Sequence, residues 1–221
     1  MEAEAQRKPY RVVLEGGQAQ LEEKKSRFIA TVRPVSSEQE AVSFIEEMKK
    51  KYWDARHNCS AFVIGERAGL TRCSDDGEPA GTAGRPMLEV LLGEGVRNVA
   101  VVVTRYFGGV LLGTGGLVRA YSGAAKQGLL ASRTGVMRDG LQLSVRTDYN
   151  GIGKLQYLLR QRGLSAQDIS YTDCVELTLL LPVEEAADLK KEITEATSGQ
   201  AVIEEKQRLW FVQALDEEER T

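Results

Sequence analysis

The feature that most constrains the fold is a pair of glycine-rich loops on either side of one very apolar segment. The loops occupy residues 74–86 and 105–117, and together they hold eight of the 22 glycines in the chain. Glycine reaches positive φ without steric cost and admits the close approach of another backbone or of a ligand, so both loops require a demanding backbone geometry. The segment between them contains the apolar run Val-Ala-Val-Val-Val at residues 99–103, which predicts a strand covered on both faces.

The composition is that of a globular protein and excludes several classes of function. The 221 residues are 42% hydrophobic and 28% charged, with neither the apolar core of a signal peptide nor a run long enough to cross a membrane, which predicts a cytoplasmic protein. Three cysteines without a CxxC pair are expected to be reduced. The single histidine, His57, excludes histidine-rich metal sites and any triad that needs a second histidine.

Charge is distributed unevenly along the chain. Residues 1–135 contain 19 basic and 16 acidic side chains, a balance of +3, whereas residues 136–221 contain 10 and 16, a balance of −6. Only the first part has the sign expected of a polyanion-binding surface, and its excess is modest. The whole chain, at −3, is unlike a strongly basic nucleic-acid-binding protein.

Hydrophobic periodicity predicts that residues 1–135 mix strands and helices. The expected elements are an antiparallel meander at residues 10–14, 18–22 and 28–32, a helix from a cap at Ser36 or Ser37 to Tyr52, a strand at 59–64, and helices at 86–93 and 117–131.

Residues 132–140 have the composition of a polar connector, and the pattern restarts beyond them. The expected elements there are strands at 141–148, 168–172, 175–181 and 200–207, with helices at 152–162 and 183–197. This βαββαβ order predicts a ferredoxin-like sandwich, with both helices on one face of a four-stranded antiparallel sheet. We therefore expect an α+β protein of two domains, residues 1–135 and 136–221.

Two positions in the loops have the chemistry of an anion site. Thr82 and Arg85, beside the glycines of the first loop, form a corner at the start of a predicted helix, where anions bind. Gly115 and Gly116 open the next predicted helix, whose free N–H groups suit a phosphate.

Arginine and aromatic side chains surround the second loop. Arg105 and Arg119 flank its glycines. An arginine could bind a phosphate while the neighbouring ring of Tyr106 or Phe107 stacks on a base. Aromatic residues at a strand end are usually buried, however, so the favoured interpretation is that Tyr106 and Phe107 pack in the core.

The remaining candidates are acidic or nucleophilic. Asp75, Asp76 and Glu78 could hold Mg²⁺, but Asp-Asp-Gly is also ordinary turn chemistry, so the sequence leaves the metal question open. His57 and Cys59 would lie on one face of a strand, as an acid or base beside a thiol. Without an orienting third group, such a pair is more often structural than catalytic.

Three ordered stretches resemble a known family. They are Asp-Ala-Arg-His-Asn-Cys at residues 54–59, Asp-Asp-Gly-Glu-Pro-Ala-Gly-Thr-Ala-Gly at 75–84, and Arg-Tyr-Phe-Gly-Gly at 105–109 followed by Leu-Gly-Thr-Gly-Gly-Leu at 112–117. Together they closely resemble the IMPACT family, in particular its bacterial members of the YigZ or YvyE type. The resemblance covers nearly the whole chain.

The resemblance implies a fold and a broad role. It implies a first domain similar to the second domain of ribosomal protein S-five, an α/β sandwich, and a second similar to the C-terminal domain of elongation factor G, in agreement with the ferredoxin-like pattern. It also implies a nucleic-acid or ribosome-linked role, and it brings no enzymatic reaction.

The function expected from residues and resemblance together is that of a non-enzymatic, translation-associated regulator without a cofactor. Its glycine-rich loops would bind RNA or a ribosomal partner, and a monomer is favoured. Two alternatives remain: an enzyme that acts on a nucleotide or phosphate in a pocket of the same loops, or a regulator that docks a protein on the sheet of the second domain.

Overall fold

The structure, a computed structural model, describes residues 8–214 and divides into two compact units. One unit consists chiefly of Tyr10–Met137 and the other chiefly of Arg138–Val212. Both contain helices and sheets, which confirms the α+β class and the presence of two units. None of the helices in the described part of the chain is long and apolar enough to cross a membrane.

A five-stranded antiparallel sheet forms the centre of the first unit. Its strands, in spatial order, are β2 (Gln18–Glu23), β3 (Ser26–Pro34), β7 (Val99–Tyr106), β4 (His57–Ile64) and β5 (Leu70–Ser74). The central strand β7 is buried along Val99–Arg105, as its apolar run predicts.

Helices cover both faces of this sheet. Helix α1 (Glu38–Lys51) packs Phe44 and Met48 on one face, and its N-cap is Ser37, whose hydroxyl accepts a hydrogen bond from Glu40 N at 3.2 Å. Helices α2 (Gly84–Gly93) and α3 (Thr114–Leu130) bury their apolar side chains on the opposite face. The sheet is therefore buried on both sides, which explains the unbroken apolar run of β7.

The first strand, β1 (Tyr10–Glu15), does not join β2 in the predicted meander. It pairs instead with the short strand β6 (Val96–Arg97) and with the start of β8 (Arg133–Thr147). The cause lies in the segment that follows β1, where a Cβ on Gly17 would lie 2.4 Å from the Ala131 carbonyl group. Two backbones touch there, and the chain crosses to a new sheet instead of turning in a hairpin.

The polar connector predicted at residues 132–140 is also wrong, since residues 133–140 belong to β8. Their backbone groups pair with β1 and with β10. Their charged side chains form ion pairs, Arg138 with Glu184 at 2.8 Å and Asp139 with Arg208. The polar composition of these residues therefore led to the prediction of a loop where the structure has a strand. The division between the two units falls inside this strand.

The second unit has the predicted ferredoxin-like pattern. Its elements are β8, α4 (Gly151–Gln161), β9 (Asp168–Tyr171), β10 (Val175–Pro182), α5 (Ala186–Ala196) and β11 (Val202–Ala214). The strand order is β11-β8-β10-β9, and β10 is antiparallel to both of its neighbours. Leu155 of α4 and Leu189 of α5 share one core with Leu143 and Leu177, so both helices pack on the same face.

Gly108 marks the closest approach between β7 and the turn between β2 and β3. Its N–H donates to Ser26 Oγ at 3.2 Å, and a Cβ placed on it would lie 2.0 Å from the Lys25 carbonyl carbon. Lys24 and Lys25 form that turn with φ of 45° and 65°, in the left-handed region. Gly108 is therefore required by packing, whatever the loop binds.

Replacement of Gly108 by alanine is expected to lower the free energy of unfolding by about 1–3 kcal/mol, the usual cost of overpacking. Gly115→Ala is the matched control, because its Cβ would meet only Arg119 Nη1 at 3.7 Å and alanine favours helix. Urea denaturation followed by circular dichroism measures both. A Gly108→Ala protein as stable as the Gly115→Ala protein would contradict the close approach.

Candidate functional site

Strand register brings both glycine-rich loops to one end of the five-stranded sheet. Strands β3 and β4 begin there and β7 ends there, with Arg105 opposite both Phe28 and His57. Ser74, at the end of β5, pairs with Ser60 near the start of β4, so the first loop leaves from the same end. The candidate residues of both loops can therefore act together.

Asp75 organises the first loop. Its Oδ2 accepts a hydrogen bond from Gly81 N at 2.8 Å, and its Oδ1 accepts from Ala83 N at 3.0 Å and Gly84 N at 2.8 Å. Burial acts to raise the pKa of Asp75, but the three N–H donors outweigh it and hold the pKa below its ordinary value. The carboxylate thus closes the loop and caps the start of α2.

Glu78 and Arg105 form a buried ion pair. Arg105 Nη1 donates to Glu78 Oε1 at 2.7 Å, and the two side chains are only 7% and 3% exposed. Tyr121 of α3 donates its hydroxyl to the same oxygen at 2.8 Å, and burial raises the pKa of Tyr121. One carboxylate therefore joins the first loop to the end of β7 and to α3.

His57 and Asp76 contact each other beside this ion pair. His57 Nδ1 lies 2.9 Å from the Asp76 carbonyl oxygen, which can only accept, so Nδ1 carries the proton in the neutral ring. His57 Nε2 faces Glu78 Oε1 at 4.0 Å. Asp76 Oδ2 accepts from Asn58 N at 2.7 Å, and Asp76 Oδ1 lies 3.2 Å from Lys49 Nζ.

Neither a reactive thiol nor a metal cluster is found here. Cys59 is fully buried, its Sγ donates to the Asp75 carbonyl oxygen at 3.0 Å, and burial raises its pKa, so the thiolate is disfavoured. Over residues 8–214, no three His, Cys, Asp or Glu side chains are grouped to hold a metal ion. Asp75, Asp76 and Glu78 are each engaged by protein donors instead.

The two predicted members of the first anion corner lie in different surroundings. Thr82 is buried and donates its hydroxyl to the Pro79 carbonyl oxygen at 2.7 Å. Arg85 is exposed and pairs with Glu89 of the same helix, Nε to Oε1, at 2.8 Å. Thr82 would have to break its hydrogen bond, and Arg85 its ion pair, before either could bind an anion.

The second predicted anion position lies at an open helix start. Gly113, with φ of 73°, is the N-cap of α3 and provides no side-chain oxygen. Because the helix begins at Thr114, Gly115 and Gly116 lie inside its first turn. The N–H of Leu117 is the first to bond back, to the Gly113 carbonyl oxygen at 3.0 Å. Arg119 is exposed one turn later, and the described residues offer it no ion-pair partner.

A set of exposed side chains forms the outer rim, which we call the sheet-end surface. Its members are Lys24, Lys25, Arg27, Trp53 and Phe107.

Aromatic and basic groups lie close together at this end of the sheet. The Arg27 guanidinium lies 4.5 Å from the centre of the half-buried Tyr106 ring, whose hydroxyl donates to Asp54 at 2.8 Å. Phe107 is 42% exposed, with the Arg105 guanidinium 5.5 Å from its ring centre. The expectation that Tyr106 and Phe107 pack in the core is therefore wrong.

Sequence reasoning missed several contributors to the site. The sequence patterns single out neither Tyr121 nor Trp53, and they indicate Lys24, Lys25 and Arg27 only as an alternative to Arg105 and Arg119 for contacts with RNA. The sequence signal for Arg27 is the basic stretch at residues 24–27, and the register of the structure places Arg27 opposite Tyr106. Trp53 could have been found as a large apolar residue directly after the basic end of α1.

Comparison with known proteins covers both units. Residues 24–129 match the Impact N-terminal domain, and residues 145–200 match a domain of unknown function, DUF1949. The IMPACT family member YvyE of Bacillus subtilis is 41% identical over 209 residues, which cover 94% of this chain and 95% of that protein. The family member YigZ of Escherichia coli is 37% identical over 178 residues, 80% of this chain and 87% of that protein.

Two further matches are of other kinds: one covers a smaller part of this chain, and the other is to a solved structure. Protein IMPACT of Homo sapiens is 35% identical over 96 residues, which are 41% of this chain and 29% of that protein. A crystal structure described as that of "an hypothetical protein" is 34% identical, with a TM-score of 0.57 over 88% of this chain and 96% of that chain.

Arg105→Ala is expected to lower the free energy of unfolding by about 3–5 kcal/mol, because it leaves the Glu78 carboxylate buried without its partner. Arg85→Ala is the control, since it removes an exposed arginine and should cost about 0–1 kcal/mol. Adding Glu78→Gln to Arg105→Ala should recover part of the loss. Equal unfolding midpoints for the Arg105 and Arg85 variants would contradict a structural role for the pair.

Asp75→Asn is expected to cost roughly 1–3 kcal/mol at neutral pH, because the amide presents N–H to backbone N–H groups. The folded-state pKa of Asp75 lies below its ordinary value of 3.8, so its stabilisation is complete above that value and is lost as pH falls through the folded-state pKa. Urea denaturation from neutral to acidic pH should therefore show the difference from wild type shrinking in acid. A difference independent of pH would contradict the capping role of Asp75.

Proposed function

The chain belongs to the IMPACT family, and on that premise we propose that it is a non-enzymatic, translation-associated protein that binds RNA through the sheet-end surface and the start of α3. Family membership supports a translation-related regulatory role at the level of the family. The RNA is either free or part of a ribosomal partner, and the proposed setting is the cytoplasm. The observation that supports the choice of RNA is a group of unpaired cations beside an open helix start.

The cations of this region are available to a ligand. Lys24, Lys25, Arg27 and Arg119 are all exposed, and in the part of the chain that the structure describes none of them is paired with a carboxylate. Many other basic residues of the same unit are paired, for example Arg11 with Glu94 and Arg33 with Glu47. Free cations near one sheet end favour a polyanion, since each phosphate contact releases a condensed counterion.

The start of α3 adds donors of the right kind. The N–H groups of Thr114, Gly115 and Gly116 precede the first helical hydrogen bond, and no side chain caps them. The partial positive charge of a helix start and the nearby Arg119 guanidinium both favour a phosphate at that position. Glycine leaves the approach open, because only the Arg119 side chain lies within reach of a Cβ on Gly115.

An enzyme that acts on a phosphate is less well supported by the same geometry. Glu78 and Arg105 bind each other, and Asp75 binds three backbone N–H groups. A general base or a transition-state clamp must be able to reach the substrate, and these groups are committed to the fold. We therefore assign them a structural role and propose that binding depends on the exposed residues.

RNA affinity is expected to fall with salt, and the slope decreases by about one for each phosphate contact removed. The variant to compare carries Lys24→Asn, Lys25→Asn and Arg119→Gln, where asparagine tolerates the left-handed backbone of the turn. Arg160→Gln, which removes an exposed arginine of α4, is the matched control. Filter binding to a fixed RNA over a salt series measures the slope, and an unchanged slope in the folded triple variant would overturn the assignment of this surface.

A further inference from the structure

We propose that the RNA bound at the sheet-end surface is single-stranded and that unpaired bases stack on Trp53 and Phe107. This inference rests on the proposed function and adds the class of RNA. It is supported by the exposure of the two rings, by the cations near the same sheet end, and by the cover that Arg27 gives to the neighbouring Tyr106 ring.

Trp53 is largely exposed, which is unusual for a tryptophan side chain, and Phe107 is also exposed. Trp53 is 82% exposed and Phe107 42%, and neither belongs to a core cluster of the first unit. Among the described residues Trp53 has neither an aromatic nor a cationic partner. Burial of such a ring is favourable, so two rings left open to solvent favour a ligand that covers them.

Hydrogen bonding and chain connection link both rings to Tyr106. Trp53 directly precedes Asp54, whose carboxylate accepts the Tyr106 hydroxyl at 2.8 Å. Phe107 directly follows Tyr106 and lies against the Arg105 guanidinium. Tyr106 itself is half-buried beneath Arg27, so the faces that remain open to a base are those of Trp53 and Phe107.

This arrangement fits unpaired nucleotides better than a duplex. Every base has a π-face that stacks on an aromatic ring, but in a duplex both faces are already stacked on neighbouring bases. Lys24, Lys25 and Arg27 beside the rings supply backbone contacts with no preference for sequence. Exposed rings combined with cations are the pattern of proteins that bind single strands without reading a sequence.

A tryptophan-based measurement tests the stacking directly. The chain has two tryptophans, so Trp210→Phe leaves Trp53 as the only indole in the full-length protein. An unstructured single-stranded RNA of about 12 nucleotides, within the usual site size, should quench its emission, and a blunt duplex of equal length should not. Quenching by the duplex equal to that by the single strand would overturn the inference.

Substitutions provide the second arm. Trp53→Ala and Phe107→Ala should each weaken single-strand binding by about 5- to 150-fold, the usual effect of losing one base stack, while Trp53→Phe and Phe107→Trp should retain most of the affinity. Tyr157→Ala removes a ring that is 63% exposed on α4 and should change nothing.

The two proposals fail in different ways. Failure of any RNA to bind overturns the proposed function together with this inference. Binding that depends on the basic residues, with single strand and duplex equal and both alanine variants like wild type, overturns only the single-strand inference.

Discussion

The buried ion pair between Glu78 and Arg105 is the interaction on which the first unit depends. Desolvation of two charges is costly, and the attraction between them repays that cost only where geometry and further hydrogen bonds are good. Here the Tyr121 hydroxyl also donates to Glu78 Oε1, while Ser26 Oγ lies 3.4 Å from Arg105 Nη2. The pair therefore fixes a loop, a central strand, a helix and the start of β3 in one relative position, and a mispaired register would leave a charge buried alone.

The same arrangement separates residues that hold the site from residues that can bind. Asp75 and Glu78 look like metal ligands in the sequence, and Arg105 looks like a phosphate clamp, yet all three bind partners within the protein. The buried Nε of Arg105 has no hydrogen-bond partner among the described residues. These contacts hold the loops in one arrangement, and such preorganisation lowers the entropy cost of presenting nearby side chains to a ligand. Exposed residues such as Lys25 and Phe107 lie beside the residues held by these contacts.

Local patterns predicted more of the fold than of the site, for a physical reason. Periodicity and capping are encoded within a few residues, so the Ser37 cap and the ferredoxin-like order could be predicted. Partners distant in sequence could not be: β1 has the same alternating pattern whether it pairs with β2 or with β8. Likewise the three donors to Asp75 lie six to nine residues away, and no spacing rule distinguishes such a cap from a metal ligand.

The modest charge of the chain affects how the proposed RNA binding can work. With a net charge of −3 overall and +3 over residues 1–135, long-range attraction is weak, and at physiological salt it is screened beyond about 8 Å. Affinity must then come from contacts made at short range, where stacking on Trp53 and Phe107 loses little to salt. A surface that combines few cations with open rings should therefore retain more of its single-strand affinity at high salt than a surface that relies on cations alone.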